Sequence, residues 1–409
     1  MSNKKTYLVI TPFFPTPEQF FGSYLYDQVV AIRDNSDYEV VVLKPLQGFK
    51  AIDSSYVVNG ITVHHLACYN LPSNILVGAT DWLNRRLFRK TLEILDIKVE
   101  NIKFAHIHTA LLAVYGAELK WLNPEIKTII QYHDLDPVYV RNGRFADKMW
   151  NLKYKAVNTI AKLNTFDLHV SISKRTEENL RYFPEPAPRE TYQPYLNITN
   201  KLRGLVEPVK IKNSYVLYNG VDLEKFFPKE KVDSPYFRIG CIGNYQEIKC
   251  HRMLIDAVSI LVKEGHENIR LSLVGNNPPE DFVNMQQYVK DSDMSEYVEF
   301  VQPLKHEQLT DYYNSLDLFV LPSCFEGFGC VYTEAYACGV PFIGCYGQGI
   351  EDVIEPSERG KWLVPVHDTN RLAQNIEHYM QYRDEQKLCE PIDINVLITE
   401  YLNYINSKI

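Results

Sequence analysis

Basic excess, metal-ligand cysteine spacing and long apolar runs are all missing from this 409-residue sequence. With 43 Lys and Arg against 51 Asp and Glu the net charge is −8, which offers no global attraction for nucleic acid. The eight cysteines, at 68, 241, 250, 324, 330, 338, 345 and 389, include no Cys-x2-Cys pair. Neither a zinc site nor a disulfide framework is encoded, and the thiols read as reduced, buried small residues. No segment reaches the roughly 18 apolar residues of a membrane span. The start, Met1 to Thr11, has too brief an apolar run before Pro12 and Pro15 for a signal peptide. A cytoplasmic protein is the expectation, and the sequon Asn197-Ile198-Thr199 is then incidental.

What is present, 45% apolar and 23% charged residues, is the composition of soluble globular proteins, and the length predicts two domains. Charge divides unevenly. Residues 1 to 230 carry 29 Lys/Arg and 24 Asp/Glu, whereas 231 to 409 carry 14 and 27.

Short β-branched and aromatic runs alternate with segments of helical period: Tyr7 to Thr11, Tyr38 to Leu43, Ile61 to Leu66, Lys103 to His108, Lys127 to His133, Asp167 to Ile172 and Tyr215 to Tyr218. This alternation predicts a doubly wound α/β sheet. After Phe226-Phe227-Pro228-Lys229 a polar stretch ending at Pro235 reads as a linker. The rhythm restarts with Phe237 to Gly243, Leu271 to Gly275, Asp317 to Pro322, Pro341 to Gly344 and Trp362 to Val364. The apolar stripe Leu254, Ala257, Val258, Leu261 and Val262 predicts a helix packed on the second sheet. Phe183 to Lys212, rich in Pro and polar residues, reads as an ordered functional loop or a mobile flap. The expected domains are 1–228, 229–388 and a terminal helix in 389–409 that returns to the first.

The stretch from Asp317 to Pro341 is the most informative. An apolar strand feeds Glu326-Gly327-Phe328-Gly329 and then a helix carrying Glu334. A strand entering a helix through a Gly-containing turn presents backbone N–H groups and the positive end of the helix dipole, which together favour an anion. Glu326 and Glu334 flank that point, and carboxylates suit sugar hydroxyls. A phosphate between two such carboxylates describes a nucleotide sugar. Gly243 to Lys249 is a second strand-to-helix junction, where Lys249 beside a helix N-terminus suits a bound diphosphate.

These residues resemble family 4 glycosyltransferases, which have the GT-B architecture of two Rossmann-like domains facing across a cleft. The resemblance runs through Pro12-Phe13-Phe14-Pro15 with Gly22, His106-Ile107-His108, Tyr132-His133-Asp134, Val170-Ser171-Ile172-Ser173 and Tyr218-Asn219-Gly220-Val221-Asp222 with Phe226. It continues through the Lys249 turn and Val274-Gly275 to the Glu-x7-Glu spacing of Glu326 and Glu334 and Cys338-Gly339-Val340-Pro341. It implies a retaining transfer of a hexose-type sugar from a nucleoside-diphosphate sugar, uridine rather than guanosine, to a glycan, lipid-linked or other hydroxyl acceptor. No cofactor and no metal are expected, and surface polysaccharide or glycoconjugate synthesis is the expected setting.

Laid residue by residue, the resemblance implies that Glu334 holds the ribose, Glu326 the transferred sugar, and the backbone of Gly327, Phe328, Gly329, Cys330 and Val331 the sugar and distal phosphate. Lys249 would neutralise the diphosphate, Gly22 would allow close approach of the first loop, His133 would contact the sugar, and Leu304 the base. The sequence departs from the family at Asn244, where Arg is usual, with Arg252 as the substitute one turn on. It departs again at Asn277, where Gly is usual, and in a single Gly in the first loop. These departures also suit a nucleotide-sugar-binding or scaffold subunit of the same fold, weak or inactive in catalysis.

Asp134-Leu135-Asp136 and Asp291-Ser292-Asp293 read as loops rather than metal sites. His106 and His108 are expected on opposite sides of their strand, which excludes a metal pair. Trp82 to Lys90 mixes basic and large apolar residues at helical spacing, as either a membrane-surface segment at an anionic inner face or an ordinary amphipathic helix.

Overall fold

The computed structural model describes residues 4–17, 22–48, 54–72, 75–133, 136–138, 145, 148–231, 233–275 and 279–409. The chain forms two compact units, Met1–Asn219 with Ile394–Ile409, and Gly220–Asp393. Asp134, Leu135 and Asn277 lie outside the described residues.

The first unit is built on β1 (Thr6–Ile10), β2 (Glu39–Gln47), β3 (Ser55–Val58), β4 (Ile61–Cys68), β5 (Ile102–His108), β6 (Lys127–Tyr132), β7 (Leu168–Ser171) and β8 (Ser214–Val216), in the order β3-β4-β2-β1-β5-β6-β7-β8. All neighbours pair parallel except β3, which runs antiparallel to β4. Helices cover the sheet, so β1 is buried at every position and reads as a continuous apolar run. The hairpin of β3 and β4 turns at Asn59 and Gly60, with φ of 46° and 82°. That pair of left-handed residues is the two-residue turn whose twist matches flanking strands, and Asn-Gly is its usual sequence.

The second unit carries β9 (Phe237–Ile242), β10 (Ile269–Val274), β11 (Val298–Val301), β12 (Leu318–Val320), β13 (Phe342–Cys345) and β14 (Leu363–Val364), in the order β11-β10-β9-β12-β13-β14. Its pairings are all parallel. Numbered within the unit, this is 3-2-1-4-5-6, the doubly wound dinucleotide-binding order, whose direction reverses between β9 and β12. The loops leaving those two strands therefore open side by side at the carboxyl edge. The helix His251–Lys263 buries Leu254, Ala257, Val258 and Leu261, as its stripe predicts, and ends at Gly265 with φ 104°.

Two boundaries differ from the expected ones. The first unit ends at Asn219 rather than Pro228, because Phe226 is buried against His306 and Tyr313, and the Lys229 N–H donates to Asn314. A polar stretch marks exposed chain, and exposed chain need not be a unit boundary. At the other end the transition falls at Ile394. The helix Ile394–Lys408 belongs to the first unit, burying Leu397, Ile398, Tyr401, Leu402 and Ile405.

Phe183 to Lys212 is ordered and contains the helix Gln193–Leu202, with Pro194 in its first turn and Tyr195, Ile198 and Leu202 buried. Its approach is pinned by Glu190, which accepts Arg175 at 2.7 Å and Asn179 at 2.6 Å in a buried cluster.

Candidate active site

The loop after β9 and the loop after β12 meet at the reversal of strand order. The Cys324 N–H donates to the Ile248 carbonyl at 2.9 Å, stitching one to the other. The close packing beneath requires Gly275, where an added Cβ would lie 2.6 Å from the Gly243 carbonyl oxygen. Lys249 ends a short 3-10 turn, Glu247–Lys249, and its Nζ donates to Glu326 Oε2 at 2.6 Å. The two side chains are 19% and 14% exposed, so the pair is largely shielded while keeping one open side. His251, the first residue of the helix His251–Lys263, is held neutral: burial and the Lys249 charge push it down to about 4. Lys249 is thus the cation of this junction.

Gly329 starts the helix Cys330–Ala337 at φ 90°, a conformation that favours glycine, and a Cβ there would also press on the Tyr332 ring at 2.6 Å. The Tyr332 hydroxyl donates to the Leu321 carbonyl at 2.5 Å, tying the helix to the strand before it. The positive end of the helix dipole consequently points toward the Glu326 loop. Glu334 is buried, and its Oε2 accepts the Tyr313 hydroxyl at 2.8 Å. Burial and the Glu334 charge drive the Tyr313 phenol well above its ordinary value, so it remains a proton donor. Phe328 is buried; Gly327, Cys330 and Val331 are half-buried along the same turn. Leu304, half-buried, follows β11 at the carboxyl edge.

Other expected residues fall elsewhere. Asn244 is exposed. The Arg252 guanidinium stacks over the Tyr288 ring at 4.8 Å, on the helix Pro279–Asp291. Gly22 begins the helix Ser23–Asp34 of the first unit with φ 84°, where a Cβ would lie 3.2 Å from the Phe13 backbone.

His133 also belongs to the first unit, at the end of β6. Its Nε2 is 2.8 Å from His108 Nδ1, and its own Nδ1 is buried without a hydrogen-bond partner among the described residues. His106 and His108 do not face opposite sides. Their rings stack at 4.4 Å, because residues two apart on a strand share a face. His106 continues the row through Tyr7 at 2.8 Å, and Tyr7 meets Tyr401 of the terminal helix at 3.1 Å. Burial pushes His106 and His133 down to about 3 and lowers His108 well below its ordinary value. No cluster of three or more His, Cys, Asp or Glu suited to a metal occurs among the described residues.

Within the Trp82 to Lys90 segment, Arg85 and Arg89 turn inward to the buried Glu118, at 2.9 and 2.5 Å, and Arg89 also stacks on Trp121. Leu87 and Phe88 are buried, while Trp82, Arg86, Arg89 and Lys90 are exposed, Arg89 being engaged with Glu118. Among the described residues no helix is long and apolar enough to cross a membrane.

Sequence reasoning missed two residues that organise the site. Tyr313 orients Glu334, and Gln348 takes the Glu326 N–H at 2.7 Å. Both act across more than 20 residues of sequence, and no local motif signals either contact.

Two units of this topology define the GT-B fold. Residues 236–382 match the family model described as glycosyl transferases group 1. Among curated relatives, D-inositol 3-phosphate glycosyltransferase of Paenarthrobacter aurescens is 28% identical over 167 residues, covering 39% of this chain and 41% of the relative. The chain spans about two fifths of the length of the curated relatives it matches. Among solved structures, sucrose-phosphate synthase from Thermosynechococcus elongatus aligns with a TM-score of 0.67 at 19% identity, over 98% of this chain and 94% of that one. Anabaena HepE, solved with UDP and glucose, aligns with a TM-score of 0.64 at 16% identity, over 98% and 100%. These last two likenesses are likenesses of fold.

Proposed function

We propose that the protein is a retaining glycosyltransferase that moves a hexose-type sugar from a nucleoside-diphosphate sugar to a glycan, lipid-linked or other hydroxyl acceptor, in surface polysaccharide or glycoconjugate synthesis. The observation that carries the reading is the Lys249–Glu326 pair at the reversal of strand order, beside the helix that begins at Gly329 and carries Glu334. The group 1 match over the same residues supports it. The preference for a uridine donor draws support from the UDP in the HepE structure.

In this reading Glu334 takes the ribose hydroxyls, the backbone from Gly327 to Val331 takes the sugar and distal phosphate, and Leu304 meets the base. Glu326 is assigned hydroxyls of the transferred sugar. The bond from the anomeric carbon to the diphosphate oxygen breaks first in an oxocarbenium-like state. The acceptor oxygen then bonds the same face of that carbon, and its proton passes to the departing phosphate oxygen. Lys249 and the helix dipole stabilise the charge that develops on that oxygen, and removing one such donor costs about 3 kcal/mol of barrier lowering. The route draws on no metal ion.

One observation favours a second reading, a weak or inactive nucleotide-sugar-binding subunit. Asn244 stands exposed where the family has Arg, and Arg252 is engaged with Tyr288. Calorimetry and donor hydrolysis with UDP-glucose, UDP-galactose and GDP-mannose separate the two. Turnover that vanishes in Lys249→Ala and Glu326→Ala supports the enzyme; tight binding without turnover against any acceptor supports the binder. Failure to bind any nucleotide sugar would remove both.

A further inference from the structure

Gln348 is buried, 1% exposed, in the turn after β13. Its amide oxygen accepts the Glu326 N–H at 2.7 Å, and its amide nitrogen lies 3.3 Å from the carbonyl oxygens of both Cys324 and Tyr346. The following residue completes the clasp, since the Gly349 N–H donates to the Glu326 carbonyl at 3.3 Å. Both backbone groups of Glu326 are therefore held by one dipeptide. A side chain at 349 is excluded, because its Cβ would run into the Gly327 carbonyl. The clasp has its own support: the Gly347 N–H donates to Glu351 at 2.7 Å, and the other Glu351 oxygen accepts Arg359 at 3.1 Å.

An amide accepts from one N–H and donates to two carbonyls at a single point, which neither a carboxylate nor an aliphatic side chain can do. The ends of the loop have separate anchors, Cys324 on Ile248 and Tyr332 on Leu321. The Glu326 stretch between them is held by Gln348 and Gly349. With that backbone fixed, the carboxylate meets Lys249 at 2.6 Å.

We infer that Gln348 is a positioning residue: it sets the place of the Glu326 carboxylate for the transferred sugar. This rests on the glycosyl-transfer reading above. Because a displacement of about 1 Å at such a site can cost on the order of 100-fold in rate, the amide acts on turnover without touching substrate.

The test uses Gln348→Met, which keeps length and loses all three bonds, and Gln348→Glu, which keeps the acceptor and loses the donors. With the nucleotide sugar that the parent turns over, Gln348→Met is expected to lose at least ten-fold in kcat/KM, mostly in kcat. Its Kd for the bare nucleoside diphosphate should stay within two-fold of the parent, and Gln348→Glu should fall between. Hydrogen exchange over residues 323–329 should quicken in Gln348→Met while 318–321 keeps its protection. Parental kcat/KM, equal losses for the nucleotide sugar and the bare diphosphate, or unchanged exchange at 323–329 would each overturn the inference. If the parent itself neither binds nor turns over a nucleotide sugar, the glycosyl-transfer reading falls, and exchange still decides whether Gln348 holds Glu326.

Discussion

The phenol of Tyr313 donates to the Glu334 carboxylate at 2.8 Å, joining the helix Leu309–Asn314 to the helix Cys330–Ala337 beneath the candidate donor site. One carboxylate oxygen is thereby fixed by the protein, which orients the side chain toward the ribose role assigned to it. Tyr313→Phe removes the donor and leaves a buried acceptor short of a partner, a loss of roughly 1–3 kcal/mol in stability. Urea unfolding should show that loss, and UDP affinity should fall several-fold in calorimetry.

Lys249→Ala is expected to lower kcat for the best donor by about 100-fold or more, the scale for deleting one electrostatic donor to a developing charge. The same change leaves Glu326 without its ammonium. Glu326→Gln keeps the shape of the side chain and releases Lys249, so it should depress turnover while leaving UDP affinity close to the parent's. Steady-state kinetics alongside calorimetry checks both.

Acid should weaken the fold through buried imidazoles. Burial holds His106 and His133 at about 3, and His169, His251 and His306 at about 4, all below the unfolded value near 6.5. Between those limits the unfolded chain binds more protons, so stability is full above about pH 6.5 and declines as pH falls toward the folded values. Urea midpoints at pH 7 and pH 5 should differ in that sense. Replacing His106 with Gln should reduce the difference, because one proton uptake is removed.

Glu190 binds Arg175, Asn179 and the Tyr192 N–H from a buried position. Glu190→Ala removes the carboxylate from the buried Arg175 guanidinium and should cost about 3–5 kcal/mol, the range for breaking a buried pair from one side. Limited proteolysis should then cut within 183–212 faster than in the parent.

The exposed stripe Trp82, Arg86 and Lys90 is the remaining candidate for contact with an anionic membrane. Sedimentation with phosphatidylserine vesicles should fall in Arg86→Glu/Lys90→Glu if that stripe binds, and equal sedimentation of parent and variant would remove the idea. Arg85 and Arg89 are unsuitable for the test, since changing them strands Glu118.

Much of the scaffold is written in local pattern. Fully buried strands such as β1 appear as unbroken apolar runs, and the glycines of the Glu326 loop mark a turn that only a left-handed residue closes. Short edge strands were harder. Val298–Val301 is interrupted by Glu299, and Ser55–Val58 is too short to show a pattern of its own, its one local mark being the hairpin signal Asn59-Gly60. Pro194 suggested a loop, yet proline suits a first helical turn, where its missing N–H would have had no intrahelical partner. The two histidines of β5 stack on one face, as the two-residue period of a strand requires, contrary to the expectation of opposite faces.

The sequence by itself determined the alternation of strands and helices, the two Gly-bearing junctions and the acidic and basic groups carried on them. The tertiary structure alone decided which of those groups meet. Lys249 reaches Glu326 across 77 residues because strand order reverses between β9 and β12, and Gln348 clasps Glu326 because β13 lies beside β12. Arg85 and Arg89 likewise meet the buried Glu118 once their helix packs on its neighbour. Period and propensity act over a few residues, whereas these pairings depend on sheet order, which no short window of sequence contains.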